Sequence, residues 1–285
     1  FRSECLQTLV FNNPHIKDTA IIDDSSILDI DLESIKEQTK FQIGELDVLF
    51  GGIVCKGFSL AGERSPNDER NYYYHKQLEI VEVFKPKVSV IENVPGIVNA
   101  RVLAETTPIK VKEKVDELWQ QIENFKGQKA EFRKQSTITR DFEDYGSSLR
   151  KEKEEILDYL ETNGYLISVI DDINLIYKKL GYKVYSKKLN SSSFGAATRR
   201  ERIIIVAVRN DIPFQYEFPE PTHADNYLLG KYPNQYRKNA RYLKTITVGD
   251  AIKNVKIDEE DIDSLPMKHS QKTIERFRFI KQGSN

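Results

Sequence analysis

Sulfur is scarce in this sequence. It has one methionine and two cysteines, Cys5 and Cys55, set far apart. Two distant cysteines build neither a disulfide framework nor a zinc site, so no metal is expected and a reducing compartment is the default. No apolar run reaches the roughly 20 residues a membrane span needs, and no basic-then-apolar leader opens the chain. Internal repeats and low-complexity tracts are also missing. These absences exclude a membrane protein and a disulfide-stapled secreted module, and they imply a cytoplasmic location. The chain lacks an initiator methionine and stops at the turn Gly283-Ser284-Asn285, which reads as a fragment. What is present is a 285-residue chain with 39% hydrophobic and 31% charged residues. That is enough for one large α/β domain or two modest ones with a charged surface. The net charge of −1 hides an uneven distribution and does not exclude a polyanionic partner. Frequent Lys, Ile, Asn and Tyr fit an AT-rich genome.

Four short runs, 19–22, 47–50, 88–91 and 203–208, are rich in β-branched residues and followed by turn signals, the mark of buried strands. Helical patterns separate them. Residues 73–84 carry Leu78, Ile80, Val81 and Phe84, and residues 166–180 repeat apolar positions up to the stop at Gly181. A further strand is expected at 182–185. Alternating strands and helices predict βαβ units and a sheet covered on both faces. Cys5, Leu6, Leu9, Val10 and Phe11 predict an opening helix closed by Asn12-Asn13-Pro14. Between about 100 and 163 the composition changes. Val111, Val115, Leu118, Trp119, Ile122 and Phe125 share one helix face, and a second charged helix is expected over about 148–160. This predicts an inserted helical hairpin with a solvated outer face, or one that binds a partner helix. From residue 211 periodicity fades, and Tyr232, Tyr236 and Tyr242 mix with Arg237, Lys238 and Arg241.

Ligands of a parallel α/β sheet sit beyond the carboxyl ends of its strands. Cys55 follows the strand ending at Phe50, within GGIVCKGFSLAGER. Glu92 follows the strand 88–91, within IENVPG. Arg200 and Arg202 precede Ile203, within FGAATRRERIIIVAVRND, and reach the same crevice only if that strand runs antiparallel. Each has a plain structural alternative: an inert thiol, a helix-capping carboxylate, and surface arginines paired with Glu201 or Asp211.

Together the three motifs, in this order and spacing, resemble the DNA cytosine-5 methyltransferases of restriction-modification systems. The resemblance implies an S-adenosylmethionine-dependent methyltransferase fold: Rossmann-like α/β, with a mixed, mostly parallel sheet and a helical insertion. It divides the chain into a catalytic core (1–99 and 164–210), the insertion (100–163), and a segment leading into a target-recognition domain (211–285). It implies that Cys55 is a nucleophile adding to carbon 6 of a cytosine flipped out of double-stranded DNA. Glu92, in a desolvated pocket, would hold ring N3 and the exocyclic amine, and Arg202 would contact O2 with Arg200 in support. Asn93 would orient the Glu92 turn. Loop 59–70 would close over the base, with Lys56, Arg64 and Arg70 as phosphate or closure contacts. For S-adenosylmethionine, Phe1 would stack on adenine, Asp24 and Ser25 would lie near its amine with Asp23 an equal alternative, and Tyr73 would make a further contact. A bacterial-type, nucleoid-associated location follows from the same resemblance.

The match departs from the family pattern at Val54, where proline is usual, at Lys56, and at Thr198, where glutamine is common. The family's glycine-rich first motif and its last motifs are not found. Two other functions therefore stay open: methylation of a tRNA cytosine, and a catalytically impaired DNA-binding homologue.

Overall fold

The structure is a computed structural model and describes residues 3–53, 65–238, 240–256 and 268–281, apart from the side chains of Glu69 and Arg70. Three helices come first: α1 (Ser3–Asn12), α2 (Ile16–Thr19) and α3 (Leu32–Thr39), none with a buried residue. The opening helix is as expected. The strand expected at 19–22 is not formed: Thr19 closes α2, and Ile21 and Ile22 are exposed coil. No described strand pairs with this run, and extended backbone without a neighbour leaves its N–H and C=O groups to water.

The run ending at Phe50 is a strand that continues through both glycines, so β1 spans Val48–Gly52 and these glycines lie in a strand, not in a turn. It leads through residues 65–72 to α4 (Tyr73–Phe84) and β2 (Val88–Asn93), both where the pattern placed them. β1 and β2 pair in parallel, with Gly52 opposite Glu92. α4 buries Tyr74, Leu78, Val81 and Phe84 at helical spacing. Gly51 lies under Gln77: a Cβ there would stand 1.9 Å from the amide oxygen Oε1.

The inserted segment is a helical hairpin. A small antiparallel pair, β3 (Arg101–Leu103) and β4 (Leu166–Ser168), brackets α5 (Ile109–Gln135) and α6 (Arg140–Thr162). Val115, Leu118, Trp119 and Ile122 pack on Leu149, Ile156 and Leu160. α6 begins earlier than its apolar pattern suggests, at the cap Thr139, whose hydroxyl accepts the Phe142 N–H at 3.3 Å. The helix expected over 166–180 gives its first three residues to β4. α7 is therefore Val169–Lys179, stopped before Gly181 at φ +87°.

β5 (Tyr182–Asn190) and β6 (Glu201–Arg209) complete a four-stranded sheet in the order β1-β2-β6-β5. β6 is antiparallel to both β2 and β5. The sheet is mixed, as expected, but not mostly parallel, since β1–β2 is its one parallel pairing. Connection length explains this: the short stretch 191–200 cannot make the crossover of a dozen or more residues that parallel strands require.

Both α4 and α7 pack on the same sheet face, where Ile91, Ile203, Ile205 and Ala207 meet Tyr74, Val81, Ile173 and Tyr177. The opposite face, also expected to be covered, is covered only in part: Val206 and Val208 of β6 are buried there, but β1 is not. Val48 and Phe50 on the opposite face are 55% and 67% exposed. The chain after β6 covers part of that face through ring contacts of Tyr185, Tyr216 and Phe218.

Beyond β6 come β7 (His223–Ala224), α8 (Asn226–Lys231) and β8 (Leu243–Lys244), around a small core of Leu228, Tyr232 and Tyr236. Two of the tyrosines that sequence sets among basic residues are thus packing residues. α9 (Val248–Ile252) and α10 (Gln271–Arg278) follow and bury nothing.

Candidate active site

β2 rises toward the turn Val94-Pro95, and its last two residues face opposite ways. Asn93 is fully buried on the helix-covered face. Its Oδ1 accepts the Val94 N–H at 2.8 Å, which fixes the turn, and its Nδ2 has no partner among the described residues. Glu92 points to the other face. Because β6 runs antiparallel to β2, its first residues arrive at this same end, which meets the condition the sequence set for the arginines. Arg202 donates from Nε to Glu92 Oε1 at 2.6 Å and from Nη1 to the Glu201 carbonyl at 2.7 Å. Its Nη2 has no partner among the described residues. Glu92 is 30% exposed and Arg202 19%, so the pair lines an open strand end and not the enclosed, desolvated pocket expected.

Arg200 is exposed, and its guanidinium has no partner among the described residues. Its backbone is fixed instead, with its N–H on Ser191 Oγ at 3.2 Å and its carbonyl accepting the Ser191 N–H. Cys55 lies outside the described residues, as do Phe1, Lys56 and Arg64, and the Arg70 side chain is not described. Gly52, directly opposite Glu92, is three positions before Cys55.

The described residues expected to hold the cofactor lie on separate elements. Tyr73 is the half-buried first residue of α4. Asp24 and Ser25 are exposed between α2 and α3. Asp23 Oδ1 accepts the Ser25 N–H at 2.8 Å, and that bond holds the Asp23 carboxyl below the usual range. Asp23, not Asp24, lines a groove of about 730 Å³ walled by Ile21, Ile30, Ile35 and Phe41.

Sequence reasoning missed two groups near this end. Tyr74 OH donates to Asp172 Oδ2 at 2.6 Å while His75 Nε2 lies 2.9 Å from the same oxygen, joining α4 to α7. Arg199 pairs with Asp225 at 3.1 Å and Glu201 with Lys231 at 3.0 Å. The alternation of side chains along a strand would have separated residues 199 and 201 from 200 and 202. Nothing local marks Asp172.

Among the described residues no helix is long and apolar enough to cross a membrane. The chain is 28% identical over 231 residues to the type II methyltransferase M.BspRI of Lysinibacillus sphaericus, covering 81% of this chain and 36% of that protein. It is 26% identical to M.NgoFVII of Neisseria gonorrhoeae over 91% of this chain and 49% of that one. With M.AquIA of Picosynechococcus sp. the identity is 28%, over 87% and 74%. The chain thus spans about a third to a half of the first two relatives. Among solved structures, the S. pombe Dnmt2 methyltransferase superposes with a TM-score of 0.35 at 11% identity, covering 76% of this chain and 42% of that one. That match is too loose to bear on the site. The family model described as C-5 cytosine-specific DNA methylase matches residues 4–118 and 146–284, which include Cys55, Glu92, Arg200 and Arg202. The chain belongs to the C-5 cytosine-specific DNA methylase family.

Proposed function

We propose that this chain carries the reaction centre of a DNA cytosine-5 methyltransferase, part of a restriction-modification system as the type II names of its relatives suggest. The observation that supports this most is the Glu92–Arg202 pair at the end of β2, beside the strand that leads to Cys55.

The mechanism follows from what a pyrimidine ring requires. Carbon 5 of cytosine is a poor nucleophile. The Cys55 thiolate adds to carbon 6, breaking the aromaticity and moving electron density to carbon 5, and covalent catalysis splits one hard step into easier ones. S-adenosylmethionine supplies, when bound, an electrophilic methyl group on a sulfonium. Once carbon 5 is methylated, loss of its proton restores the double bond and expels the thiolate. Glu92 holds the N3 and amine edge of the base. Arg202, fixed through Nε and Nη1, offers Nη2 to O2, where negative charge develops. Extruding the base from the duplex costs a few kcal/mol, and the exposed Arg200 supports Arg202 at O2. The groove beside Asp23, lined by Ile21, Ile30, Ile35 and Phe41 together with the carboxylates of Asp18 and Asp23, would hold the adenine end of the cofactor.

The test is trapping, with S-adenosylmethionine present, on a duplex containing 5-fluorocytosine, whose fluorine replaces the carbon-5 proton that must leave after methylation. The wild-type chain is expected to form a covalent adduct, Cys55→Ser none, and Glu92→Gln to form it at least about tenfold more slowly. An adduct on Cys55→Ser at the wild-type rate would overturn the assignment. Reaction of a tRNA cytosine in preference to the duplex would move the substrate to RNA.

A further inference from the structure

The run Arg199-Arg200-Glu201-Arg202 sends its side chains two ways. Arg202 turns to Glu92. Arg199 and Glu201 turn to the chain that follows the sheet. Arg199 Nη2 meets Asp225 Oδ2 at 3.1 Å, and its guanidinium lies 4.3 Å from the Tyr227 ring centre. Lys231 Nζ is 3.0 Å from Glu201 Oε1 and 3.0 Å from Tyr227 OH. The residues just before this run grip the same segment. Ser193 Oγ accepts from Tyr236 OH at 2.8 Å, and its carbonyl accepts the Thr222 N–H at 2.9 Å. Gly195, at φ +90°, lets the backbone pass His223, whose ring carbon would stand 2.8 Å from a Cβ there.

One further bond links this clasp to the reacting end. Arg202 Nη1 donates to the carbonyl of Glu201, the residue whose side chain Lys231 holds. Lys188 of β5 lies 3.8 Å from the other Glu201 oxygen. The lysines are nearly half exposed, and such ion pairs contribute at most about 1 kcal/mol to stability. What they fix is the direction of a strand end.

We infer that Arg199 and Glu201 are positioning residues: they fasten segment 222–236 to the start of β6, so that a shift of that segment moves Arg202 relative to Glu92. The inference rests on the reading that Glu92 and Arg202 receive the base. Through this clasp, a nucleic acid that displaces segment 222–236 alters the reaction centre without touching it.

The test uses the full chain with Lys231→Met and Lys231→Arg. Hydrogen exchange is followed in peptides covering 199–204 and 222–236, alongside single-turnover methyl transfer to a cytosine-containing duplex. Lys231→Met is expected to speed exchange in both peptides. It should also slow transfer about fivefold, the rate equivalent of one such ion pair, with the cofactor KM unchanged. Lys231→Arg should restore both. Faster exchange confined to 222–236 with an unchanged rate would make the clasp mere packing and overturn the inference. If the wild type transfers no methyl group, the methyltransferase reading falls, and the exchange at 199–204 alone decides the clasp.

Discussion

Glu92 and Arg202 were legible as single residues because each sits where an apolar run meets a turn, and strand ends are where an α/β sheet presents chemistry. Their contact was not legible, since it needs the antiparallel placement of β6 on β2. Arg199 was passed over and Glu201 was read only as a possible partner of the neighbouring arginines; their actual partners lie 26 and 30 positions along the chain (225 − 199 and 231 − 201). Gly51 gives a test at this scale. The Gln77 amide above it donates to Ser89 Oγ at 3.2 Å and to the Val90 carbonyl at 3.0 Å, both within the core. A methyl group at 51 meets Gln77 Oε1 at 1.9 Å, so the amide must leave those acceptors. Gly51→Ala should therefore destabilise by about 1–3 kcal/mol, although alanine usually orders a chain better than glycine. A urea midpoint equal to the wild type would show that Gln77 moves freely.

Elements were legible where their residues form one unbroken pattern. Residues 73–84 and 88–91 are central and buried, and their boundaries were nearly right. Residues 19–22 are as β-branched as a strand, but strand formation needs a neighbour, which composition does not reveal. The hairpin α5–α6 was legible from its apolar stripe, while its length and its bracketing by β3 and β4 were not. The family model leaves residues 119–145 unmatched, the distal part of this hairpin, and resumes at Gly146. That glycine is the point of close approach: a Cβ there would stand 2.1 Å from the Phe125 ring. The ring is stacked on Phe142 at 4.5 Å between centres and meets Tyr145 edge-on at 5.9 Å, so it can yield only by giving up those contacts. Gly146→Ala should splay the two helices at a cost of about 1–3 kcal/mol. The nearby Trp119, the single tryptophan, would report the loss by a red-shifted emission and an earlier thermal transition. An unshifted spectrum and transition would place the helices farther apart.

At the scale of the whole molecule, the half-buried carboxylate of Asp172 joins the two helices that cover one face of the sheet. Tyr74 on α4 is fully buried, and burial followed by its bond to Asp172 raises its hydroxyl above the ordinary tyrosine value. Burial also pushes the Asp172 carboxyl up, but bonds from His75 and Tyr74 and the charges of His75 and Lys179 outweigh it and hold the group below the usual range. The sign follows from linkage. A carboxyl depressed in the folded state contributes fully above its unfolded value of about 3.9, and the contribution is lost as pH falls through the lower folded value. Asp172→Asn keeps the shape but removes the charge from two hydrogen bonds, so it should cost about 1.5–3 kcal/mol at neutral pH. The cost should be present from neutral pH down to about 5 and shrink below about 4, where the wild-type carboxyl itself takes up a proton. Guanidinium unfolding of both proteins across that range measures it. No gap at pH 7, or a gap that persists undiminished below about pH 3, would mean that α4 and α7 are held by their apolar contacts alone and that the Tyr74–Asp172–His75 group adds no net stability.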